Sequence, residues 1–190
     1  DLETFIQAAR RGNLISVRKE ILADVHTPVS ALAALEPFEH GFLLESVEGS
    51  ESIGRYSFVG ANPRVVFRCG NGSIRITEDG KESAVSDVAH PLEELKRRMG
   101  EYRWVDQPGL PAFCGGAVGY LGYNMVRSFE HLPNGKPEDT AMDDAFFMIT
   151  DTLLVFDHLE HTLQIVANAH VQGNAKAAYA EAAAKIAAIE

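Results

Sequence analysis

The sequence is poor in cysteine and lacks a long apolar run. Cys69 and Cys114 are its only cysteines, and neither has a second Cys or a His at ligand spacing, which disfavours both a disulfide framework and a zinc knuckle. The longest apolar stretch, 146–156, is interrupted by Thr and Asp and is shorter than the roughly 20 residues that span a bilayer. No secretory signal opens the chain. These absences favour a reducing cytoplasm.

The charge balance is strongly acidic. Asp and Glu number 27 against 17 Lys and Arg, which gives a formal net charge of -10 and a sequence pI near 5.1. Excess negative charge repels phosphate backbones and anionic lipid headgroups, and the basic residues are scattered rather than clustered. We therefore expect neither nucleic acid nor a membrane surface as a partner.

Length and apolar content favour one globular domain. With 190 residues and 46% hydrophobic content, the chain can bury a sizeable core without disulfides or metals. It begins at Asp1 without an initiator Met and ends at Glu190 inside an Ala-rich helical pattern that has no stop signal. We therefore expect residues 1–190 to be one domain of a longer protein.

Hydrophobic periodicity and turn residues predict more strands than helices. Apolar residues at helical spacing predict helices over 2–9, 28–35, 91–99 and 124–130, and another after Gly173. Alternating or β-branched runs predict strands over 14–21, 42–47, 56–59, 64–69, 73–77, 83–85, 113–123, 145–157 and 162–168. Turns at 70–72 and 78–80 predict a meander. Because strands and helices do not alternate regularly, we predict an α+β fold of antiparallel sheets packed as a sandwich with a few peripheral helices.

The glycines at 115, 116, 119 and 122 could suggest a phosphate-binding loop, because glycine lets the main chain approach a ligand closely. Their spacing does not match the dinucleotide fingerprint, and the chain has no Gly-Lys-Ser/Thr step. We interpret them as positions of close packing inside a strand.

No catalytic or metal-binding constellation stands out. His158 and His161 lie in a predicted hairpin turn without a third ligand nearby, so we interpret them as solvated turn residues. Asp143 and Asp144 follow the Pro- and Gly-containing segment 133–137, which favours a solvated loop over a divalent-ion site. We predict no catalytic residue, no metal site and no cofactor within this chain.

The remaining polar pair, Glu45 and Ser46, ends the apolar run 42–44. A carboxylate can bind an ammonium group, a hydroxyl can hydrogen-bond to it, and apolar neighbours can hold a ring, which suits a small zwitterion with an apolar side chain. On these residues alone, an ordinary strand end that emerges into solvent is the favoured interpretation.

Several segments together resemble the N-terminal domain of the anthranilate synthase large subunit. They are Phe42-Leu43-Leu44-Glu45-Ser46-Val47-Glu48, Ile53-Gly54-Arg55-Tyr56-Ser57-Phe58-Val59-Gly60-Ala61-Asn62-Pro63, Phe113-Cys114-Gly115-Gly116-Ala117-Val118-Gly119-Tyr120, Arg127-Ser128-Phe129-Glu130-His131-Leu132-Pro133 and Asp151-Thr152-Leu153-Leu154-Val155-Phe156-Asp157-His158. The resemblance covers most of the chain. Two positions depart from the family pattern: Asn124, where Asp is usual, and Asp143, where Pro is frequent.

This resemblance implies a chorismate-utilising lyase subunit in which residues 1–190 are the N-terminal regulatory domain. The C-terminal domain, absent from this sequence, is then expected to bind chorismate and Mg2+. A glutamine amidotransferase subunit is expected to deliver ammonia, and the products are anthranilate and pyruvate. The resemblance also implies that Glu45 and Ser46 form one wall of a site for the feedback inhibitor L-tryptophan, with Val47 and Tyr56 as further lining residues.

Three other functions remain open on the sequence. The same domain precedes the catalytic domain of aminodeoxychorismate synthase, although the segment 54–60 looks more like the anthranilate branch. A self-sufficient amino-acid-binding module would bind tryptophan without any further domain. A scaffold for partner docking would leave Glu45 and Ser46 as a plain strand end.

Overall fold

The computed structural model describes residues 1–45, 54–70, 72–86, 88, 90–130 and 142–190. The helices are α1 (Leu2–Ala8), α2 (Pro28–Ala34), α3 (Pro91–Met99) and α4 (Ala175–Ile189), with a 3-10 helix over Tyr123–Ser128. The strands are β1 (Leu14–Leu22), β2 (Gly41–Leu44), β3 (Tyr56–Ala61), β4 (Val65–Gly70), β5 (Ser73–Glu78), β6 (Lys81–Val85), β7 (Gly116–Leu121), β8 (Ala145–Thr150), β9 (Thr152–Asp157) and β10 (Thr162–His170). The chain divides into a first unit, 1–63, 102–116 and 150–190, and a second unit, 64–101 and 117–149.

The first unit is built on a five-stranded sheet in the order β1-β10-β9-β3-β2. Its neighbouring strands are antiparallel, and β9 and β10 form a hairpin in which Asp157 pairs with Thr162. Strand β3 lies between β2 and β9, with Phe58 paired to Leu44 on one side and to Val155 on the other. This arrangement brings the end of β2, the start of β3 and the end of β9 to the same edge of the sheet.

Side chains of this sheet alternate between its two faces, as the two-residue period of a strand requires. Leu154 and Phe156 of β9 lie in one buried cluster together with side chains of the helices, including Phe5 of α1 and Ile186 of α4. Burial of this continuous apolar face is what holds the helices on the sheet, since helices this short are marginal by themselves.

The other face of the first sheet is partly covered by the segment 102–116, which we call the strap. Leu153 and Val155 form a second buried cluster with Cys114, and the ring of Phe113 meets Phe58 edge-on with 5.1 Å between centroids. The buried side chain of Asn168 donates to the carbonyl of Cys114 at 2.6 Å and accepts from Ser16 Oγ at 2.6 Å. The strap is therefore fixed by both apolar packing and buried hydrogen bonds.

The second unit carries another five-stranded sheet, in the order β6-β5-β4-β8-β7. Strands β4, β5 and β6 form the predicted meander, and the positive φ angles of Asp79 (49°) and Gly80 (74°) close its second turn. Phe67 and Ile74 are among its fully buried side chains. Helix α3 belongs to this unit, where Arg98 of the helix binds Glu78 of β5 at 3.0 Å.

The predicted α+β class with antiparallel sheets and a few helices is confirmed. The prediction of one strand over 145–157 is wrong, because β8 pairs with β4 in the second unit while β9 pairs with β3 and β10 in the first. The chain breaks at Asp151, whose carbonyl accepts from the Asn168 amide at 2.6 Å. Thr150, Asp151 and Thr152 interrupt the apolar run at the break, but the largely buried runs on either side do not indicate that they belong to different sheets.

Candidate functional site

The predicted site residues lie at the edge where β2 ends and β3 begins. Glu45 follows β2 directly and is exposed, while Tyr56 is the first residue of β3 and is half-buried. Because Leu44 pairs with Phe58 in an antiparallel ladder, Glu45 and Tyr56 lie at the same end of this strand pair. The other two predicted residues, Ser46 and Val47, lie outside the described residues.

Aromatic side chains lie at the same end of this strand pair as Glu45. Tyr56 and Phe58 lie 6.1 Å apart between ring centroids, and both pack against the buried cluster beneath the strap. Leu44 remains 42% exposed at the end of β2. The end of β2 therefore presents an exposed apolar side chain, Leu44, followed in the chain by the exposed carboxylate of Glu45.

A buried ion pair lies at this edge. Arg55 Nε donates to both carboxylate oxygens of Asp157 at 3.0 Å, and Arg55 Nη2 donates to Oδ2 at 2.6 Å. Asp157 Oδ1 also accepts from the amides of Leu159 and Glu160, at 3.0 and 3.2 Å. The Asp157 side chain is only 6% exposed, whereas that of Arg55 is 33% exposed. We call this arrangement the Asp157–Arg55 clamp.

Protonation equilibria favour the charged form of the clamp. Burial acts to raise the pKa of Asp157, but the hydrogen bonds from Arg55, Glu160 and Leu159 and the Arg55 charge outweigh it and leave the pKa below its ordinary value. The same hydrogen bond raises the pKa of Arg55. Both partners are therefore ionised at neutral pH, which gives charge-assisted hydrogen bonds.

The clamp also positions Tyr56. The Arg55 guanidinium lies over the Tyr56 ring, 5.0 Å from its centroid, which is within cation–π range. The carbonyl of Arg55 accepts from the His158 amide at 2.8 Å, so the main chain before β3 is tied to the turn that follows β9.

His158 is an exposed turn residue, as predicted, and it also has a buried partner. Its ring is exposed, but Nε2 lies 2.7 Å from Oγ of Ser57, a side chain with no exposed surface. The interaction satisfies a hydroxyl that would otherwise be buried without a partner. His161 is exposed, as predicted.

The prediction of a solvated loop is wrong for Asp143. Its side chain is mostly buried and accepts from Arg75 at 2.8 Å, with Arg68 at 3.5 Å. Two cations in the second unit thus share one carboxylate, which accounts for an acidic residue at this position without a metal ion. Asn124, the other departure from the family pattern, is half-buried in the 3-10 helix.

The glycine run packs as predicted. A Cβ on Gly115 would collide with the amide of Asn168, and one on Gly119 would collide with the main chain of Phe146. Gly115 also has a φ of 151°, which side-chain-bearing residues rarely adopt. These close approaches explain the glycines by backbone packing.

Sequence reasoning missed Arg55 and Asp157. Two signals were present: Asp157 ends the apolar run 153–156, where a buried carboxylate needs a cation, and Arg55 is the only Lys or Arg between Lys19 and Arg64. Pairing them required knowing that β3 and β9 are neighbours, since the partners are 102 residues apart.

The described residues hold no group of three or more His, Cys, Asp or Glu side chains that could bind a metal ion. Within the same ranges, none of the helices combines the length and apolar character that crossing a membrane requires.

Comparison with known proteins identifies close sequence relatives. The family described as chorismate binding enzyme matches residues 39–190. The chain is 41% identical to anthranilate synthase component 1 of Acetivibrio thermocellus over 179 residues, which cover 94% of this chain and 36% of that protein. It is 37% identical to the protein of the same name from Pseudomonas aeruginosa over 186 residues, with 92% and 37% covered. The chain thus spans a little over a third of the length of these relatives.

A solved structure shares the fold. Anthranilate synthase component I from Streptococcus pneumoniae TIGR4 superposes with a TM-score of 0.55 at 23% sequence identity, over 89% of this chain and 36% of that one. At this identity the likeness supports the fold and no more.

Proposed function

The chain belongs to the chorismate-binding enzyme family, and from this premise we propose that it is the N-terminal regulatory domain of an anthranilate synthase component 1 subunit. The complete subunit would convert chorismate and ammonia into anthranilate and pyruvate, a lyase reaction of tryptophan biosynthesis. The sequence identity to proteins of that name over almost the whole chain supports this proposal.

The proposed role of this domain is to bind L-tryptophan as a feedback inhibitor. The observation that supports it is that the exposed Glu45 follows the exposed Leu44 at the end of β2, at the same end of the strand pair as Tyr56. Glu45 would bind the ammonium group, the apolar edge would contact the indole, and Ser46 and Val47 would complete this wall. A shallow edge of this kind is half of a pocket, so the proposal assigns the opposite wall to the C-terminal domain.

Such a shared site would make tryptophan an allosteric inhibitor. A ligand changes activity only if it binds one arrangement of the protein better than another, and a ligand held by two domains has this property. We assign no residue of this chain to the chemical step. In this proposal, chorismate and Mg2+ would bind to the C-terminal domain.

The proposal further includes a glutamine amidotransferase subunit as the source of ammonia and a cytoplasmic location. The two cysteines, Cys69 and Cys114, are buried free thiols, which is typical of proteins from a reducing compartment and supports that location.

A mutational test uses the complete subunit with chorismate, ammonium and Mg2+, and follows anthranilate fluorescence. Glu45→Gln removes the charge that would bind the ammonium group, so the tryptophan concentration for half-inhibition should rise about tenfold, since a lost charged hydrogen bond costs about 1.5 kcal/mol. Each rate is normalised to the uninhibited rate of the same variant. Glu82→Gln is the matched control, because Glu82 is an exposed strand carboxylate in the second unit. Equal inhibition of wild type and Glu45→Gln would refute the assignment of Glu45.

The isolated 190-residue chain tests the shared-site proposal. It should form no anthranilate and should bind tryptophan too weakly for calorimetry to detect, because one wall of the site is missing. Micromolar binding, about -8 kcal/mol, needs a nearly complete pocket and would instead establish a self-sufficient binding module.

A further inference from the structure

We propose that Asp157 is a positioning residue for the tryptophan site and acts through Arg55. This inference rests on the proposed function, and it concerns how the binding edge is held in place rather than which groups touch the ligand.

The clamp fixes Arg55 on both its main chain and its side chain. Three hydrogen bonds join the guanidinium to the Asp157 carboxylate, and the Arg55 carbonyl accepts from His158, the residue after Asp157. Since Nε and Nη2 both donate to one carboxylate, the plane of the guanidinium is fixed as well as its position. A single-point ion pair would leave it free to rotate.

Arg55 transmits this order to the binding edge. It precedes Tyr56 directly, and its fixed guanidinium lies over the Tyr56 ring. Tyr56 is only half-buried, so packing against Phe58 and the buried cluster leaves part of its side chain exposed. The guanidinium therefore restricts the conformations of the Tyr56 ring before any ligand binds. Without this restraint, a ligand would have to order the ring on binding, and that ordering would lower its affinity.

Asp157 is in turn held by groups outside the clamp. The amides of Leu159 and Glu160 donate to Oδ1, so the carboxylate stays in place through the main chain of the β9–β10 turn. The chain of contacts runs from this turn through Asp157 and Arg55 to Tyr56. This positioning role requires no contact between Asp157 and the ligand, and the Asp157 side chain is nearly buried.

Asp157→Asn is the direct test in the complete subunit. Asn still accepts from the turn amides but loses the charge and one acceptor toward Arg55. Each rate is normalised to the uninhibited rate of the same variant. The tryptophan concentration for half-inhibition should rise about tenfold, which corresponds to a loss of about 1.4 kcal/mol in binding free energy. Arg55→Lys keeps the charge but not the two-point geometry and should give an intermediate rise.

Asp151→Asn is the matched control. Asp151 lies just before the opposite end of β9 and also binds a cation, Lys185, at 2.8 Å. The two aspartates are about 20 Å apart along the strand at the usual rise per residue. Tryptophan should therefore inhibit the Asp151→Asn subunit at the same concentration as it inhibits wild type. An equal rise in both variants would show a general loss of stability and overturn the proposal.

A second measurement does not depend on tryptophan. In the ¹⁵N–¹H spectrum of the 190-residue chain, the Arg55 Nε–H should exchange slowly with water in wild type and Asp151→Asn, and rapidly in Asp157→Asn. A rapidly exchanging wild-type signal would refute the clamp itself.

The two measurements separate the possible failures. A wild-type subunit that tryptophan does not inhibit refutes the proposed function, whatever the spectrum shows. A wild-type subunit that is inhibited, together with unchanged inhibition of Asp157→Asn, refutes the positioning role alone.

Discussion

Strand β9 ends with Asp157 and is directly preceded by Asp151, and the two aspartates differ in how they are held. Asp157 is 6% exposed and accepts from a chelating guanidinium and two main-chain amides. Asp151 is 21% exposed and binds the single ammonium group of Lys185, which is 39% exposed. The two ion pairs have the same formal charges. They differ in burial and in the number of hydrogen-bond donors to the carboxylate, and these properties determine how strongly each pair restrains neighbouring residues.

The largest expected effect is that of Asp157→Ala on stability. The substitution leaves Arg55 and two amides without their acceptor, so the free energy of unfolding of the 190-residue chain should fall by about 2 kcal/mol. Urea denaturation followed by circular dichroism measures this. A loss below about 0.5 kcal/mol would mean that the two ends of β9 are equivalent.

Acid should abolish the contribution of Asp157 to the free energy of unfolding. The folded-state pKa of Asp157 is lowered, so its contribution is fully present above the unfolded pKa of about 3.9 and is lost as pH falls through the folded pKa. The stability gap between wild type and Asp157→Asn should stay constant from pH 7 to about pH 5 and narrow below it. Urea titrations across this range test the sign, and a gap that widens in acid would contradict it.

Ser57→Ala should have a smaller effect at the same end of β9. The buried hydroxyl loses its hydrogen bond to His158, but the exposed imidazole can bond to water instead, so we expect a loss of about 1 kcal/mol. Ser83→Ala, at an exposed serine of β6, is the control and should stay within about 0.5 kcal/mol of wild type. Equal losses would show that burial of Ser57 is unimportant.

Asp151→Asn should change stability least. A partly exposed ion pair with a flexible lysine contributes little, so the free energy of unfolding should change by less than about 0.5 kcal/mol. The urea midpoint is again the measurement. A loss as large as that of Asp157→Ala would remove the distinction between the ends of the strand.

Local signals made much of the fold predictable. The Pro at the start of α3 and its acid-to-base polarity predicted Pro91–Met99 to the residue, and the Asp-Gly step predicted the turn at 79–80. The polar residues 150–152 mark the split between β8 and β9, but nothing in the apolar runs on either side indicates which sheet each strand joins.

The site was only partly predictable for the same reason. Glu45 was predicted from its place after an apolar run and from family resemblance, both of which are local. The clamp depends on the lateral order β9-β3-β2, which sets Asp157 beside Tyr56 across the ladder. No spacing along the chain encodes that order.

The pairing of β1 with β10 has a consequence for biosynthesis. Leu22 pairs with Thr162 and Leu14 with His170, so the first of the described strands to be synthesised is joined to the last of them. At about 5 to 20 residues per second, β1 would wait roughly 7 to 30 seconds for its partner. Its apolar face, with Ile15 and Val17, therefore lacks its strand partner during this interval, and we expect slower translation to lower the soluble yield.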